Sequence, residues 1–404
     1  MINQFLPTTI VGSWPRTREV LKALRDVRAE RITEADFQEI ANVAIIECAR
    51  SQEEAGIDII SDGEQTRDNF ISFVAEKIKN VKMLSVADLL EYVEDKASFE
   101  EILGTLDVPA YSLTNPAAYG KISRKKPIAA DEYKFLKEHT KAQIKVAIPG
   151  PYLLTRAMWV DGLSKEAYPT KEDLSVDIVK ILREEIEDLI DAGVDFIQID
   201  EPVLTEIVFT QKNANRTFMC GALTAKADAK EELTFATELI NQLTEGMRGR
   251  GSKIGIHVCR GNWSTQEDTL LRGPYYPLMP FLAKMSVDQY VLEYATPRAG
   301  ELHALTELAK LENVELGLGV VNPRTPTIET VAEIVTKVKQ AAKYFPIEKM
   351  YLNPDCGFGT FAQRPMNTPE IAKQKLTNMN EAAKQLRQEF ADNMGTGTFS
   401  QKEM

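Results

Sequence analysis

The strongest constraint on the fold is a series of short apolar or β-branched runs, most of them separated by stretches with helical periodicity. We count eight such runs, at residues 8–14, 57–63, 143–150, 194–202, 253–259, 289–295, 314–321 and 349–357. Alternation of this kind indicates parallel strands joined by crossover helices, and eight parallel strands close a (β/α)8 barrel. The sequence therefore predicts an α/β fold of the TIM-barrel type.

Several of the intervening stretches predict amphipathic helices. Residues 36–54 and 174–191 each carry an apolar stripe at helical spacing, and Gly56 and Gly193 follow them, as helix C-termini prefer. We expect further helices at 229–247, 299–310, 327–343 and 369–388. Cys48 lies on the apolar stripe of the first of these helices, so we interpret it as a core residue.

The chain length of 404 residues is compatible with one barrel carrying an insertion, so we predict a single catalytic domain over 1–404. The segment of about 78–141 is longer than a crossover needs, and we interpret it as an insertion between strands 2 and 3, near the barrel mouth. Residues 389–404 are polar and turn-prone, which predicts a loosely held tail.

Composition narrows the class of partner. The formal net charge of -12 is unfavourable for binding nucleic acid or anionic lipid, both of which need clustered Lys and Arg. No window approaches the roughly 18 to 20 uninterrupted apolar residues of a membrane span, and the N-terminus does not resemble a signal peptide. Four scattered cysteines favour a reducing compartment over a disulfide framework, so we expect a cytoplasmic enzyme.

Unusual side chains stand where the predicted strands end. In a parallel barrel, functional groups lie at these carboxyl ends, where the βα loops begin. The residues concerned are Ser13, Glu64, Asp200, Glu201, His257, Cys259, Glu293 and Cys356.

His257 and Cys259 form an HxC triplet that predicts a metal site. Alternation along a strand puts both side chains on one face, where they can bind the same ion. Zinc prefers four ligands from thiolate, imidazole and carboxylate, and Glu293 and Cys356 could supply the remaining two. The alternative is that the triplet is simply two buried core residues, since free cysteines are often inert.

These residues also carry a resemblance. The motifs DGEQTRDNF, QIDEP, HxC and NPDCGFG, in this order, resemble the catalytic barrel of cobalamin-independent methionine synthase over nearly the whole chain. The opening Gly-Ser-aromatic-Pro pattern of that family is matched by Gly12, Ser13, Trp14 and Pro15. Only the catalytic barrel of the two-barrel synthases is matched.

The resemblance implies an activity and a set of site residues. It implies zinc ligands at His257, Cys259, Glu293 and Cys356, and amino-acid contacts at Val11, Ser13, Glu64 and Asp200, the last two being the catalytic carboxylates. The implied reaction is zinc-dependent methyl transfer to the sulfur of homocysteine, forming methionine. The implied donor is 5-methyltetrahydrofolate or a methylcorrinoid protein.

Three alternatives remain open from the sequence, one of which is a non-catalytic binding barrel with a structural zinc bound by four protein ligands. RTFMCGAL, HVCRGNW and LLRGPYYPL are similar to segments of a related zinc barrel that joins coenzyme M to an epoxide, in which Arg67, Arg260 or Arg272 could bind the sulfonate. A metal-free barrel resembling the porphyrinogen decarboxylases is the second alternative, and zinc content separates it from the others.

Overall fold

The computed structural model describes residues 5–85, 87–92, 114–209, 228–262, 264–265, 267 and 270–396, with side chains through Ala391. Cys220 lies outside the described residues.

A seven-stranded parallel sheet forms the centre of the protein. Its strands, in sheet order, are β1 (Ile59–Ile60), β4 (Gln143–Pro149), β5 (Phe196–Asp200), β6 (Lys253–Val258), β7 (Gln289–Leu292), β8 (Glu315–Val321) and β9 (Met350–Pro354). These strands are almost entirely buried, because helices cover the outer face of the sheet and side chains fill its interior. Their positions confirm seven of the eight predicted strands.

The first predicted strand closes the sheet into a barrel through two residues. Thr8 bridges Leu352 of β9 and Thr9 bridges Ile59 of β1, both in parallel orientation. The backbone N–H of Thr9 donates to the Leu352 carbonyl at 2.9 Å, and the Ile59 N–H donates to the Thr8 carbonyl at 3.0 Å. Eight strand positions therefore form the closed TIM barrel that the sequence predicts, although the eighth consists of isolated bridges.

Helices surround this barrel. In chain order they are α1 (Arg18–Arg28), α2 (Glu34–Glu54), α3 (Val74–Lys77), α4 (Ala130–His139), α5 (Pro151–Met158), α6 (Asp161–Ser164), α7 (Lys171–Asp191), α8 (Val203–Phe209), α9 (Ala229–Thr244), α10 (Met279–Leu282), α11 (Leu305–Ala309), α12 (Val331–Ala341) and α13 (Pro369–Thr396). Capping boxes begin α2, α7 and α12, each with a Thr at the N-cap and an acidic residue three positions later.

Two predicted helices differ from those observed. The helix expected at 299–310 is divided into short 3-10 turns and α11, because Pro297 begins the first turn and Gly300 adopts a positive φ of 77° after it. The helix expected to end at 388 continues as α13 to Thr396. Phe390 packs there against Phe5 with ring centroids 4.3 Å apart, within the segment that we expected to be loose.

A separate two-stranded antiparallel sheet lies between β1 and β4 in the chain. It consists of β2 (Ile78–Ser85) and β3 (Thr114–Arg124), and α4 follows it. Buried Glu185 of α7 accepts hydrogen bonds from the backbone N–H groups of Ala129 and Ala130 at 2.7 and 2.8 Å, which attaches the start of α4 to the barrel wall. Among the described residues, no helix is both long and apolar enough to cross a membrane.

Candidate active site

A pocket of about 600 Å³, including the open space at its mouth, lies at the carboxyl ends of the strands. Every candidate residue that we predicted from the sequence lines it, with the exception of Glu293 and of Glu201, whose carboxylate accepts hydrogen bonds from the backbone N–H groups of Tyr152 and Leu153. The candidates that line it are Val11, Ser13, Glu64, Asp200, His257, Cys259 and Cys356. The structure thus brings together side chains from five separate stretches of the chain.

His257, Cys259 and Cys356 form a buried group that could hold a metal ion, because their ligand atoms all lie within 4.8 Å of one another. His257 is in β6, Cys259 follows that strand on the same face, and Cys356 follows β9. The two Sγ atoms are 3.7 Å apart, much farther than a disulfide bond. Two sulfurs bound to one tetrahedral zinc at about 2.3 Å each would be about 3.8 Å apart, so the spacing fits such an ion.

The imidazole of His257 is also oriented to bind a metal ion. Its Nδ1 lies 3.2 Å from the Val291 carbonyl oxygen, which can only accept, so Nδ1 carries the proton. Nε2 is buried and has no hydrogen-bond partner in the described part of the chain. A backbone carbonyl that fixes one ring nitrogen and leaves the other directed toward the ion is the usual arrangement for a metal-binding histidine.

The two cysteines have opposite pKa shifts. The hydrogen bond between them, together with the hydrogen bond and charge of His257, lowers the pKa of Cys356 to about 5 against the effect of burial. The same hydrogen bond raises the pKa of Cys259. Burial disfavours charge on His257, but Cys356 and nearby carboxylates outweigh it and raise the His257 pKa to about 9. An anionic sulfur is therefore stable here at neutral pH, as metal ligation requires.

Glu293, the fourth predicted ligand, follows β7 beside this group. Its Oε1 accepts the backbone N–H of Arg260 at 2.8 Å, and its Oε2 accepts from Arg298 at 2.9 Å and from Arg324 at 3.5 Å. Burial raises the pKa of Glu293, but the charges of Arg324 and Arg298 outweigh it and lower the pKa. Glu293 is thus an ionised carboxylate bound by arginines, and its role as a ligand stays a prediction.

Two buried carboxylates line the same pocket. Glu64 has a positive φ of 54°, and its Oε2 is buried without a hydrogen-bond partner among the described residues. Asp200 ends β5, and its Oδ1 accepts from Gln198 at 2.9 Å. Burial raises the pKa of Glu64 and raises that of Asp200 to about 7. A ligand with a positive charge would stabilise both carboxylates in their ionised form.

Ser13 lies close to the loop that carries Cys356. Its Oγ accepts a hydrogen bond from the backbone N–H of Gly359 at 3.4 Å. A Cβ at Gly357 would lie only 2.0 Å from the Ser13 Oγ, so glycine is required for this approach. The motif NPDCGFG therefore provides the Cys356 thiol and, through Gly357, the space that the Ser13 side chain occupies.

Arg16 is a site-forming residue that the sequence analysis did not identify. Its buried guanidinium donates to the backbone carbonyls of Trp14 at 3.1 Å, Glu64 at 2.6 Å and Arg67 at 2.9 Å, and also to that of Gly359. It thus joins the loops that carry Ser13, Glu64 and Cys356. The contacts are all to backbone, so the residue types in the sequence gave no signal of this role.

Part of the pocket lining is apolar. It consists of Phe70, Pro202, Leu271 and Phe361. The Phe70 and Phe361 rings meet edge to face with centroids 6.0 Å apart, and a backbone bridge joins Asn69 to Phe361 beside them. These two rings offer aromatic surface to a ligand in the pocket.

The arginines considered for a sulfonate do not line the pocket. Arg67 forms a buried ion pair with Glu132 at 2.7 Å, and the Arg260 guanidinium lies 3.8 Å from the Tyr275 ring centroid. Arg272 is exposed. The geometry therefore does not favour the coenzyme M alternative.

A parallel α/β barrel with buried carboxylates and a His/Cys/Cys group that could hold a metal, all at the carboxyl ends of its strands, has the architecture of a TIM-barrel enzyme. Residues 6–385 match the model of the cobalamin-independent synthase catalytic domain, and the chain belongs to this family.

Individual proteins agree with this assignment. The chain is 32% identical to a methionine synthase of Pyrococcus abyssi over 387 residues, which cover 95% of this chain and 94% of the relative. It is also 32% identical to a methionine synthase of Thermococcus kodakarensis over 388 residues, which cover 96% and 95% of the two chains.

A solved structure shares the fold. A B12-independent methionine synthase from Shewanella sp. W3-18-1, in complex with selenomethionine, superposes with a TM-score of 0.71 at 23% identity and covers 96% of this chain and 100% of that one.

Proposed function

We propose that this chain is a zinc-dependent homocysteine methyltransferase that forms methionine. The observation that carries the proposal is the 3.7 Å separation of the Cys259 and Cys356 sulfurs in the pocket that also holds Glu64 and Asp200. The two cysteines thus suit an ion that binds thiolates, and the two carboxylates suit an ammonium group. A small amino acid with a thiol on its side chain meets both requirements.

His257, Cys259 and Cys356 would hold the ion, with Glu293 as a fourth ligand or an adjacent negative charge. When bound, zinc supplies the acidity that deprotonates a coordinating thiol, whose pKa would otherwise be near 8.5. With the ion bound, Cys259 and Cys356 would both be thiolates, and their negative charge would keep the substrate sulfur nucleophilic. Val291 orients His257 through its carbonyl oxygen.

The amino-acid end of homocysteine would bind opposite the ion. Glu64 and Asp200 accept hydrogen bonds from the ammonium group, which stabilises their charges in a site where burial disfavours them. The substrate carboxylate is bound by the Ser13 hydroxyl and nearby backbone N–H groups, beside Val11. These contacts place the sulfur next to the metal-binding group.

The methyl donor is part of the proposal. Of the two donors considered, we favour 5-methyltetrahydrofolate over a methylcorrinoid protein, because the family and its relatives are named as cobalamin-independent. The Phe70 and Phe361 rings in the pocket support this choice, since aromatic side chains bind flat heteroaromatic rings by stacking and edge contacts. We also propose that the barrel acts as a single catalytic domain, with the segment of about 78–141 near its mouth.

The experiment is a matrix of acceptors and donors. Zinc-loaded protein is incubated with homocysteine or coenzyme M, each against methyl-tetrahydrofolate, methylcobalamin and a simple epoxide, and the thioether is identified by mass spectrometry. We expect methionine from homocysteine and the folate. Formation of a coenzyme M thioether alone, or no thioether in any combination, would contradict the proposal.

A further inference from the structure

Two polar side chains lie inside the barrel below the pocket. Lys145 of β4 is 1% exposed and Gln198 of β5 is fully buried. Parallel strands covered on both faces are normally apolar throughout, because a polar group removed from water costs free energy unless it is hydrogen-bonded. A lysine and a glutamine in the middle of such strands therefore need partners inside the barrel.

The register of the strands places these residues in successive layers. Lys145 pairs with Phe196, Ala147 with Gln198, and Pro149 with Asp200. Side chains alternate along a strand, so Phe196, Gln198 and Asp200 point to the same side. Lys145 thus lies one layer below Gln198, and Gln198 lies one layer below Asp200 at the pocket.

Hydrogen bonds connect the three layers. Lys145 Nζ donates to Gln198 Oε1 at 3.2 Å, and Gln198 Nε2 donates to Asp200 Oδ1 at 2.9 Å and to the Val11 carbonyl at 2.8 Å. The amide adopts this orientation because the Val11 carbonyl oxygen can only accept a hydrogen bond, which places Nε2 beside it. Both hydrogens on Nε2 are used, and both of its acceptors belong to residues that line the pocket.

We propose that Gln198 is a positioning residue that directs the Asp200 carboxylate toward the substrate ammonium group, and that Lys145 holds Gln198 in place. The inference rests on the proposed function, in which Asp200 binds that ammonium. With Oδ1 occupied by Gln198, the carboxylate cannot rotate freely, and Oδ2 is the oxygen left for the ligand. The same amide also fixes the Val11 carbonyl, so the positions of both Val11 and Asp200 in the amino-acid site depend on Gln198.

The chain contains a matched control. Gln289 of β7 is also fully buried and donates to Glu315 Oε2 at 3.2 Å, but it does not line the pocket. Gln289→Met and Gln198→Met make the same chemical change in the same barrel interior. A purely structural role for Gln198 predicts similar behaviour of the two variants.

The test compares two ligands by calorimetry with zinc-loaded protein: homocysteine and 4-mercaptobutanoate, which is homocysteine without its amino group. Wild type is expected to prefer homocysteine. Gln198→Met should weaken homocysteine binding about 10- to 100-fold, the range for a hydrogen bond involving a charged group, and leave 4-mercaptobutanoate nearly unchanged. Gln289→Met should retain the wild-type preference, and Lys145→Met should lose part of it.

The outcomes separate this inference from the proposed function. If wild type binds neither thiol, or binds both equally, the proposed amino-acid site is wrong. If wild type prefers homocysteine and Gln198→Met keeps that preference in full, only the positioning role is overturned. Circular dichroism establishes that each variant is folded; if Gln198→Met is not, Lys145→Met decides, and full retention of the preference in that variant overturns the inference.

Discussion

The carboxylate of Glu293 and the guanidinium of Arg298 form a hydrogen-bonded ion pair at 2.9 Å, with side-chain exposures of 1% and 2%. A buried pair of this kind fixes the position of each partner, and removing one partner leaves an uncompensated charge. The hydrogen bonds from Arg298 and Arg324 to Oε2 therefore fix the Glu293 carboxylate beside the cysteines.

Arg298→Met should destabilise the fold by about 3 kcal/mol, because Glu293 loses its nearest cation in a buried site. Adding Glu293→Gln to that variant should recover much of the loss, since the uncompensated charge is then absent. Urea unfolding of the two single variants and the double variant measures the coupling. Additive effects would show that the pair contributes no specific stabilisation.

Purified protein should contain about one zinc per chain, and His257→Ala or Cys356→Ala should lose most of it. Each variant removes one of three ligand atoms that lie within 4.8 Å of one another. Metal analysis by mass spectrometry is the measurement, with Cys48→Ala as the cysteine control outside the group. A wild-type protein that binds no zinc when supplied with it would rule out the metal site.

Asp200→Asn should weaken homocysteine binding by about 1.5–3 kcal/mol, the contribution of a hydrogen bond between charged groups. Folding should change little, because burial already raises the pKa of Asp200 to about 7 and a neutral amide avoids that cost. Titration calorimetry and thermal unfolding measure the two effects. Unchanged homocysteine affinity would exclude Asp200 from the amino-acid site.

Cys48→Ala should cost about 1 kcal/mol of stability and leave activity unchanged. Cys48 is buried in α2, where Gln52 Nε2 lies 3.1 Å from its Sγ, and burial raises the pKa of the thiol so that it stays neutral. Chemical denaturation and a methyl-transfer assay measure the two properties. A large loss of activity in a stably folded variant would contradict this interpretation.

The stability of the protein should depend on pH through Lys145. Burial lowers the Lys145 pKa to about 7, against the charge of Asp200, whereas an unfolded lysine titrates near pH 10.4. Between these values the unfolded state binds more protons, so this residue favours folding increasingly as pH rises. Urea unfolding at pH 7 and 9 should show that wild type gains stability relative to Lys145→Met, by at most about 1.4 kcal/mol per pH unit. A constant difference between the two proteins would show that the Lys145 pKa is not shifted.

Strand periodicity was sufficient to predict the barrel and most of its site. His257 and Cys259 share a face because of the two-residue repeat, and Cys356 follows a strand that ends at the same rim. Position at a strand end is a local property of the sequence. It therefore identified residues that meet only after folding.

Contacts between distant loops could not be predicted in this way. The arginines that bind Glu293 come from two loops, and Arg16 binds backbone carbonyls that any residue type could provide. Gln198 and Lys145 did leave a signal, because each interrupts an otherwise apolar strand. Their partners, however, depend on strand register, which a single sequence does not specify.

The barrel is closed by isolated bridges at Thr8 and Thr9, and the adjacent strand β1 pairs with β4 at only two positions. This part of the wall should open before the longer strands such as β8 and β9, because fewer paired residues resist separation there. This part of the wall adjoins Val11 and Ser13, so its local opening would weaken the contacts with a bound amino acid before the other strands separate.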